Sequence, residues 1–236
     1  MNAPRSADPR LGEIAARLGA TRDRIREAAN ACGRVPEEIT LVVVTKTHPA
    51  ADIQRLAELG VADVGENRVQ EAAAKWDDGA FAGLRLHLIG QLQTNKAVQA
   101  GRLATMVHSL DRARLIAPLS RGAAASSREL TVLIQVSLDG DPARGGVPRD
   151  GVPGLAEAVL NSALRLGGVM AVPPLGADPA RSFADLVAIS GDLRRLDPSA
   201  AIVSAGMSAD LEQAVAAGAT HLRVGTAILG SRSAVG

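Results

Sequence analysis

The chain has 236 residues, 26 basic against 25 acidic side chains, one cysteine and no tyrosine. The balanced charge argues against a nucleic-acid or membrane surface as the main partner, and no apolar run is long enough to span a bilayer. The lone Cys32 excludes an internal disulfide and a multi-cysteine metal site.

In chain order, the opening "MNAPRSADPR" lacks the apolar stretch of a signal peptide, so residues 1–10 read as a disordered tail on a cytoplasmic protein. Residues 11–32 form an amphipathic helix with Ile14, Leu18 and Ile25 on one side. Strands are expected near 40–45, 61–64, 85–89, 104–108, 130–137, 167–172, 200–204 and 220–224. Helices fall between them, near 49–59, 66–75, 94–101, 111–122, 150–164, 178–195 and 208–217. Pro49 stands at a first helical position, and Gly60 and Gly218 stop helices directly before strands. The Gly/Pro/Arg-rich stretch 139–153 reads as a mobile loop.

Strict alternation of strands and helices implies parallel strands with right-handed crossovers. Eight such strands point to one domain over 11–236, a closed (β/α)8 TIM-type barrel with an extra N-terminal helix. An open doubly wound sheet is the alternative, but no Gly-x-Gly-x-x-Gly fingerprint follows the first strand.

In a barrel the C-terminal strand ends carry the chemistry. "LVVVTKTHP" (41–49) runs from a buried strand straight into Lys46. Only three of the 26 basic residues are lysines, namely Lys46, Lys75 and Lys96, so a retained lysine hints at an amine that must lose its proton. At a strand end Lys46 would be partly dehydrated, and a neutral amine there can attack an aldehyde to give a Schiff base. The plain alternative is that Lys46 reaches outward and pairs with an acid such as Glu66.

The far end of the chain offers a second feature. In "SAGMSADLEQAVAAGAT" (204–220) Ser208 suits a helix N-cap and Asp210 the first turn. In "HLRVGTAILG" (221–230) Gly225 and Thr226 open another helix, and Arg223 has the same facing as Gly225. Two helix starts after strands seven and eight make a place for a phosphate dianion. A phosphate site beside a reactive lysine suggests a phosphorylated aldehyde cofactor, a description that pyridoxal 5′-phosphate fits. Asn67 could hydrogen-bond a ring substituent. His87 reads as a structural histidine inside the third strand, His108 as the end of the fourth, and His48 and His221 as loop and strand-edge residues; none has metal-ligand spacing, so no metal is expected.

The ordered set "VVVTKTHP", "GENRVQE", "LHLIGQLQTNK", "HSLD" and "GMSADLEQAVAAGATHLRVGTAILG" resembles the YggS/PROSC family of pyridoxal phosphate homeostasis proteins, over nearly the whole chain from residue 11. That family is similar to the N-terminal barrel of alanine racemase. The resemblance implies that Lys46 carries the cofactor, that Ser208, Gly225 and Thr226 hold its phosphate with the Met207 backbone close by, that Arg223 faces the pyridine nitrogen, and that Asn67 lines the pocket. It implies no catalytic residues, a cytoplasmic monomer, and pyridoxal-phosphate-dependent apoenzymes as partners. Three positions depart from the family pattern. Leu86 and Leu88 flank His87 where an aromatic residue is frequent, Ala205 replaces a methionine, and Arg144 stands where lysine is common.

Three functions follow as candidates: reversible storage and delivery of pyridoxal phosphate without substantial turnover, amino-acid racemisation, and class I sugar-phosphate aldol cleavage. The absent tyrosine weighs against the racemase, whose second base is a tyrosine in alanine racemase-like enzymes and comes from a second domain for which this chain looks too short.

Overall fold

A computed structural model describes residues 8–231, so most of the expected tail lies outside the described residues. Eight parallel strands close into a barrel in the order β1 to β8. They are β1 (Thr40–Val44), β2 (Asp63–Glu66), β3 (Arg85–Leu88), β4 (Met106–Leu110), β5 (Thr131–Gln135), β6 (Arg165–Met170), β7 (Ile202–Ser204) and β8 (His221–Val224). The surrounding helices are α1 (Pro9–Ala31), α2 (Ala50–Glu58), α3 (Val69–Asp77), α4 (Ala97–Leu103), α5 (Ile116–Ala125), α6 (Val152–Leu160), α7 (Pro179–Leu196), α8 (Leu211–Ala217) and the short α9 (Thr226–Leu229). None of the described helices is long and apolar enough to cross a membrane.

Strand alternation sorts the side chains. Val43, Val64, Leu86, Leu88, Val107, Val132, Ile134, Val169, Leu222 and Val224 pack in one apolar core with the buried helix faces. Their neighbours Val42, His87, Leu133, Met170 and Arg223 are buried outside that core, in the barrel interior. Register fixes which of these meet, with Val42 opposite Asp63 on one side and Arg223 on the other.

Helix α1 begins two residues earlier than the sequence suggested. The Asp8 carboxylate accepts from the Arg10 and Leu11 amides at 3.0 and 3.3 Å, and Pro9 follows at the first helical position. Its Ile14, Leu18 and Ile25 are buried, each contributing about 1.5–3 kcal/mol. Its arginines reach the far end of the chain. Arg10 donates to Leu229 O at 2.8 Å and to Asp52 at 2.9 Å, and Arg24 pairs with Glu212 at 2.8 Å and donates to Ser208 O at 3.2 Å. The added helix thus braces the loops after β7 and β8.

Several boundaries move. Pro49 caps α2 from outside the helix, because its ψ is extended. Helix α3 starts at Val69, not at 66, since Glu66 still belongs to β2. Asp111 does not open a helix; it pairs with Arg112, and a 3-10 turn precedes α5. The stretch 139–153 is tied down and does not hang free. Val147 N–H donates to Gln135 O at 2.8 Å, and Arg144 donates to Val172 O and Pro173 O at 2.8 and 2.7 Å.

Gly168 adopts φ +146° where the β5–β6 register shifts, and a Cβ there would sit 2.0 Å from Ile202 O. Gly168→Ala should therefore destabilise the fold by about 2 kcal/mol or more. Gly191 lies exposed inside α7, and a methyl group placed there would meet nothing within 4 Å. Gly191→Ala should therefore stabilise by about 0.5–1 kcal/mol. Urea midpoints of the two variants should move in opposite directions.

Candidate cofactor site

The loops after β1, β2, β3, β6, β7 and β8 wall one cavity of about 730 Å³ at the C-terminal end of the barrel. All seven residues singled out in the sequence line it: Lys46, Asn67, Met207, Ser208, Arg223, Gly225 and Thr226. Thr47, His48, Ile89, Gly90 and Val172 join them. The lining holds Lys46 and Arg223 and, among the described residues, no carboxylate, so it favours an anion.

Lys46 is exposed at the cavity, so the burial expected at a strand end is not found. Nor does it pair with Glu66. That carboxylate belongs to Lys75, 2.7 Å away. Beyond the end of β2, the Asn67 backbone touches the loop after β3. A Cβ on Gly90 would lie 2.3 Å from Asn67 O, so only glycine lets these two loops close the wall.

Ser208 is not the N-cap of α8. Asp210 holds that place, and its carboxylate turns back to accept the Met207 N–H at 2.6 Å. The Met207 amide is thereby occupied, although Met207 itself lines the cavity. Ser208 Oγ instead accepts from Ala227 N–H at 3.4 Å, joining the loop after β7 to the one after β8. The serine that suits a cap in sequence is a bridge between the two loops at this end of the cavity.

Arg223 enters from below. It is 5% exposed, and burial pushes its guanidinium down to about 10, still charged at neutral pH. It donates to Ser204 Oγ at 2.6 Å and to Ala171 O at 2.9 Å. From Ser204 a file of buried groups crosses the interior: His108 Nδ1 at 2.9 Å, His108 Nε2 to His87 Nδ1 at 2.9 Å, and His87 Nε2 to Asp63 at 2.9 Å. Arg85 closes it with two 2.6 Å bonds to Asp63. The two ends are a donor and an acceptor. Arginine only donates and carboxylate only accepts, so where each ring carries one hydrogen the file runs from Ser204 to His108, from His108 to His87 and from His87 to Asp63. Burial pushes His108 well below the usual histidine range. Burial would raise Asp63, but the hydrogen bonds from His87 and Arg85 outweigh it and hold that carboxyl down at about 2.

His108 thus sits within β4 and not at its end, and His221 lies against this file with its ring 6.4 Å from that of His87. His48, which reads in sequence as an ordinary loop residue, faces the cavity; burial pushes its imidazole down, with Asp52 opposing. Sequence reasoning missed the file because a strand histidine reveals its facing but not its partner on another strand.

A family model described as alanine racemase, N-terminal domain, matches residues 16–233. The pyridoxal phosphate homeostasis proteins of Mycobacterium tuberculosis (strain ATCC 25618 / H37Rv) and Escherichia coli (strain K12) are 41% and 38% identical, covering 98% and 94% of this chain and 98% of each relative. PipY of Synechococcus elongatus PCC7942, solved with PLP bound, superposes with a TM-score of 0.77 at 34% identity, over 92% of this chain and 100% of PipY. The chain belongs to the alanine racemase N-terminal domain family, and within it to the pyridoxal phosphate homeostasis proteins.

The buried histidines carry a pH prediction. Burial pushes His221 from 6.5 down to about 4. The folded protein keeps it neutral down to that pH, whereas the unfolded chain takes up the proton near 6.5, so stability falls as pH drops through this window. His221→Gln should flatten that acid limb by about one proton, roughly 1.4 kcal/mol per pH unit. Denaturant unfolding at a series of pH values checks it; an unchanged slope would show that His221 does not titrate on unfolding.

Proposed function

We propose that this protein holds pyridoxal 5′-phosphate covalently and reversibly on Lys46, and buffers or delivers it without substantial catalytic turnover. The observation that carries this reading is the meeting of a primary amine, two hydroxyls on adjacent loops and a buried guanidinium in one cavity that has no carboxylate among the described residues. The donor set fits the cofactor. Ser208 and Thr226, with Gly225 between the loops, suit the phosphate, Arg223 the pyridine nitrogen, and Asn67 a ring substituent. When bound, the cofactor supplies an aldehyde carbon that a primary amine can attack. Lys46 would be the primary amine that holds that carbon, and an incoming primary amine could take its place there, one amine exchanged for another. The exposure of Lys46 supports such exchange, because an incoming amine can reach it. The PipY structure with PLP and the names of the relatives support the same ligand. In this reading the recipients are pyridoxal-phosphate-dependent apoenzymes, and the carrier works in the cytoplasm as a monomer.

Borohydride reduction of the loaded protein, followed by peptide mapping, should find the pyridoxyl group on Lys46. Recovery mainly on Lys75 or Lys96 would sink the assignment.

The family description makes racemisation the competing reading. Racemisation needs proton-transfer groups on both faces of the substrate's α-carbon. The chain has no tyrosine. In the cavity, Lys46 and His48 share one turn after β1, while the loops after β6 and β7 contribute Val172, Met207, Ser208 and Ala209. A missing acid or base typically lowers the rate by about 10²–10⁴. Incubation of loaded protein with saturating L-alanine should yield D-alanine, followed by chiral chromatography, far more slowly than about 1 s⁻¹. Turnover at or above that rate would promote the racemase.

A further inference from the structure

Beneath the turn that bears Lys46 lies a buried charge cluster outside the cavity lining. Lys75, on α3, has a side chain 9% exposed. Its ammonium has three acceptors: Thr45 O at 2.9 Å, Glu66 Oε1 at 2.7 Å and Glu71 Oε1 at 2.7 Å. An ammonium has three hydrogens, so its donor capacity is used in full. Each acceptor is tied to the same turn. Thr45 Oγ1 donates to Glu66 Oε1 at 2.6 Å, and Thr47 N–H donates to Glu71 Oε1. The Thr45 carbonyl also accepts from His48 N–H at 3.1 Å.

The residue held this way is strained. Thr47 has φ +66°, and a β-branched side chain seldom adopts the left-handed region. Such a conformation persists only where its surroundings over-determine it. Here they do: Thr45 is fixed before Lys46 and Thr47 after it, both by groups converging on Lys75. Lys46 itself has no ion pair among the described residues. Its direction into the cavity is therefore set by the backbone on either side.

We propose that Lys75, acting through Glu66 and Glu71, is the positioning residue for Lys46: it holds the Thr45–Thr47 turn against its strain so that the Lys46 amine faces the cavity. The proposal rests on the reading that Lys46 captures the cofactor. It assigns distinct work to two of the three lysines. Lys75 commits its donors to the turn, and Lys46 keeps its amine free for the aldehyde.

The test separates capture from docking. Apoprotein is mixed with pyridoxal 5′-phosphate, and the rate of covalent capture is followed by its visible absorption. Affinity for pyridoxine 5′-phosphate, which has the phosphate and ring but no aldehyde, is measured beside it. Lys75→Met should slow capture by about ten-fold or more while pyridoxine phosphate affinity stays within about two-fold. Removing Lys75 leaves two carboxylates close together and can prevent folding, so Glu71→Leu is the second variant. It frees the Thr47 amide from a partly exposed acceptor and should show the same split. Thr47→Gly relieves the strain, because glycine adopts this φ freely. Adding it to either variant should restore capture at least in part, which a purely structural role for Lys75 does not predict. Capture unchanged in Glu71→Leu, equal loss of both ligands in that variant, or no rescue by Thr47→Gly would overturn the proposal. Peptide mapping of reduced wild-type protein keeps the two readings apart. A label off Lys46 defeats the functional reading, whereas a label on Lys46 at a rate indifferent to these variants defeats only this one.

Discussion

A charged guanidinium in the middle of a closed barrel dictates much of what surrounds it. Arg223 loses nearly all contact with water, and an unpaired buried charge is among the most unfavourable features a fold can contain. Barrel interiors are usually filled by layers of branched apolar side chains. Here the strands facing Arg223 supply acceptors instead: Ser204 from β7 and the Ala171 carbonyl just after β6. Ser204 has a hydroxyl hydrogen left to give, and the contacts continue through His108 and His87 to Asp63. One cation near the cavity and one anion near the other end of the barrel are thus joined by a continuous file of buried polar contacts. The anion is itself shared with Arg85, whose exposed side chain keeps the far terminus in contact with water.

The same logic explains the arrangement of the loops above. Arg223 brings a fixed positive charge to the cavity floor, and among the described residues no carboxylate in the lining neutralises it. The acids near the rim are engaged elsewhere. Asp210 accepts the Met207 amide, Asp52 takes Arg10 and Arg55, and Glu66 and Glu71 are committed to Lys75. Burial raises Glu66 while its hydrogen bonds from Lys75 and Thr45 oppose the shift, which marks how deeply that cluster is withdrawn from solvent. The cavity keeps its charge because neighbouring carboxylates are occupied in holding loops in place.

How much of this was legible in sequence depends on the range of the interaction. Strand and helix alternation is a local pattern, so all eight strands and the barrel could be read from it. The residues that line the cavity were also legible, because a strand end is a place in the fold as well as in the chain, and Lys46, Asn67, Ser208 and Thr226 each follow one. Local chemistry misled where a side chain had two options. Ser208 has the composition of an N-cap, yet its hydroxyl meets Ala227 on the neighbouring loop while Asp210 takes the cap position. Glu66 looked close enough in sequence to serve Lys46, but β2 runs through Glu66 itself and turns it toward α3. The interior file was illegible for a different reason. Its members lie on β2, β3, β4, β7 and β8, and their meeting depends on the stagger of a closed sheet, which no single segment encodes.

A carrier and a catalyst built on one barrel make different demands on the residues around the reactive amine. Catalysis needs proton donors and acceptors fixed on both sides of the substrate, in a site that excludes water. Storage needs a firm grip on the part of the ligand that does not react, and an amine that forms and gives up its bond readily. This cavity divides in that way. At one end Ser208 and Thr226 belong to loops joined to each other and braced by Arg10 and Arg24 of α1. At the other, Lys46 is exposed on a turn whose shape is maintained from underneath. Rigidity is placed behind the amine and not around it. On the proposed reading, an arrangement of this kind limits the positions Lys46 can take without shielding it from a competing amine, and reversible transfer requires both.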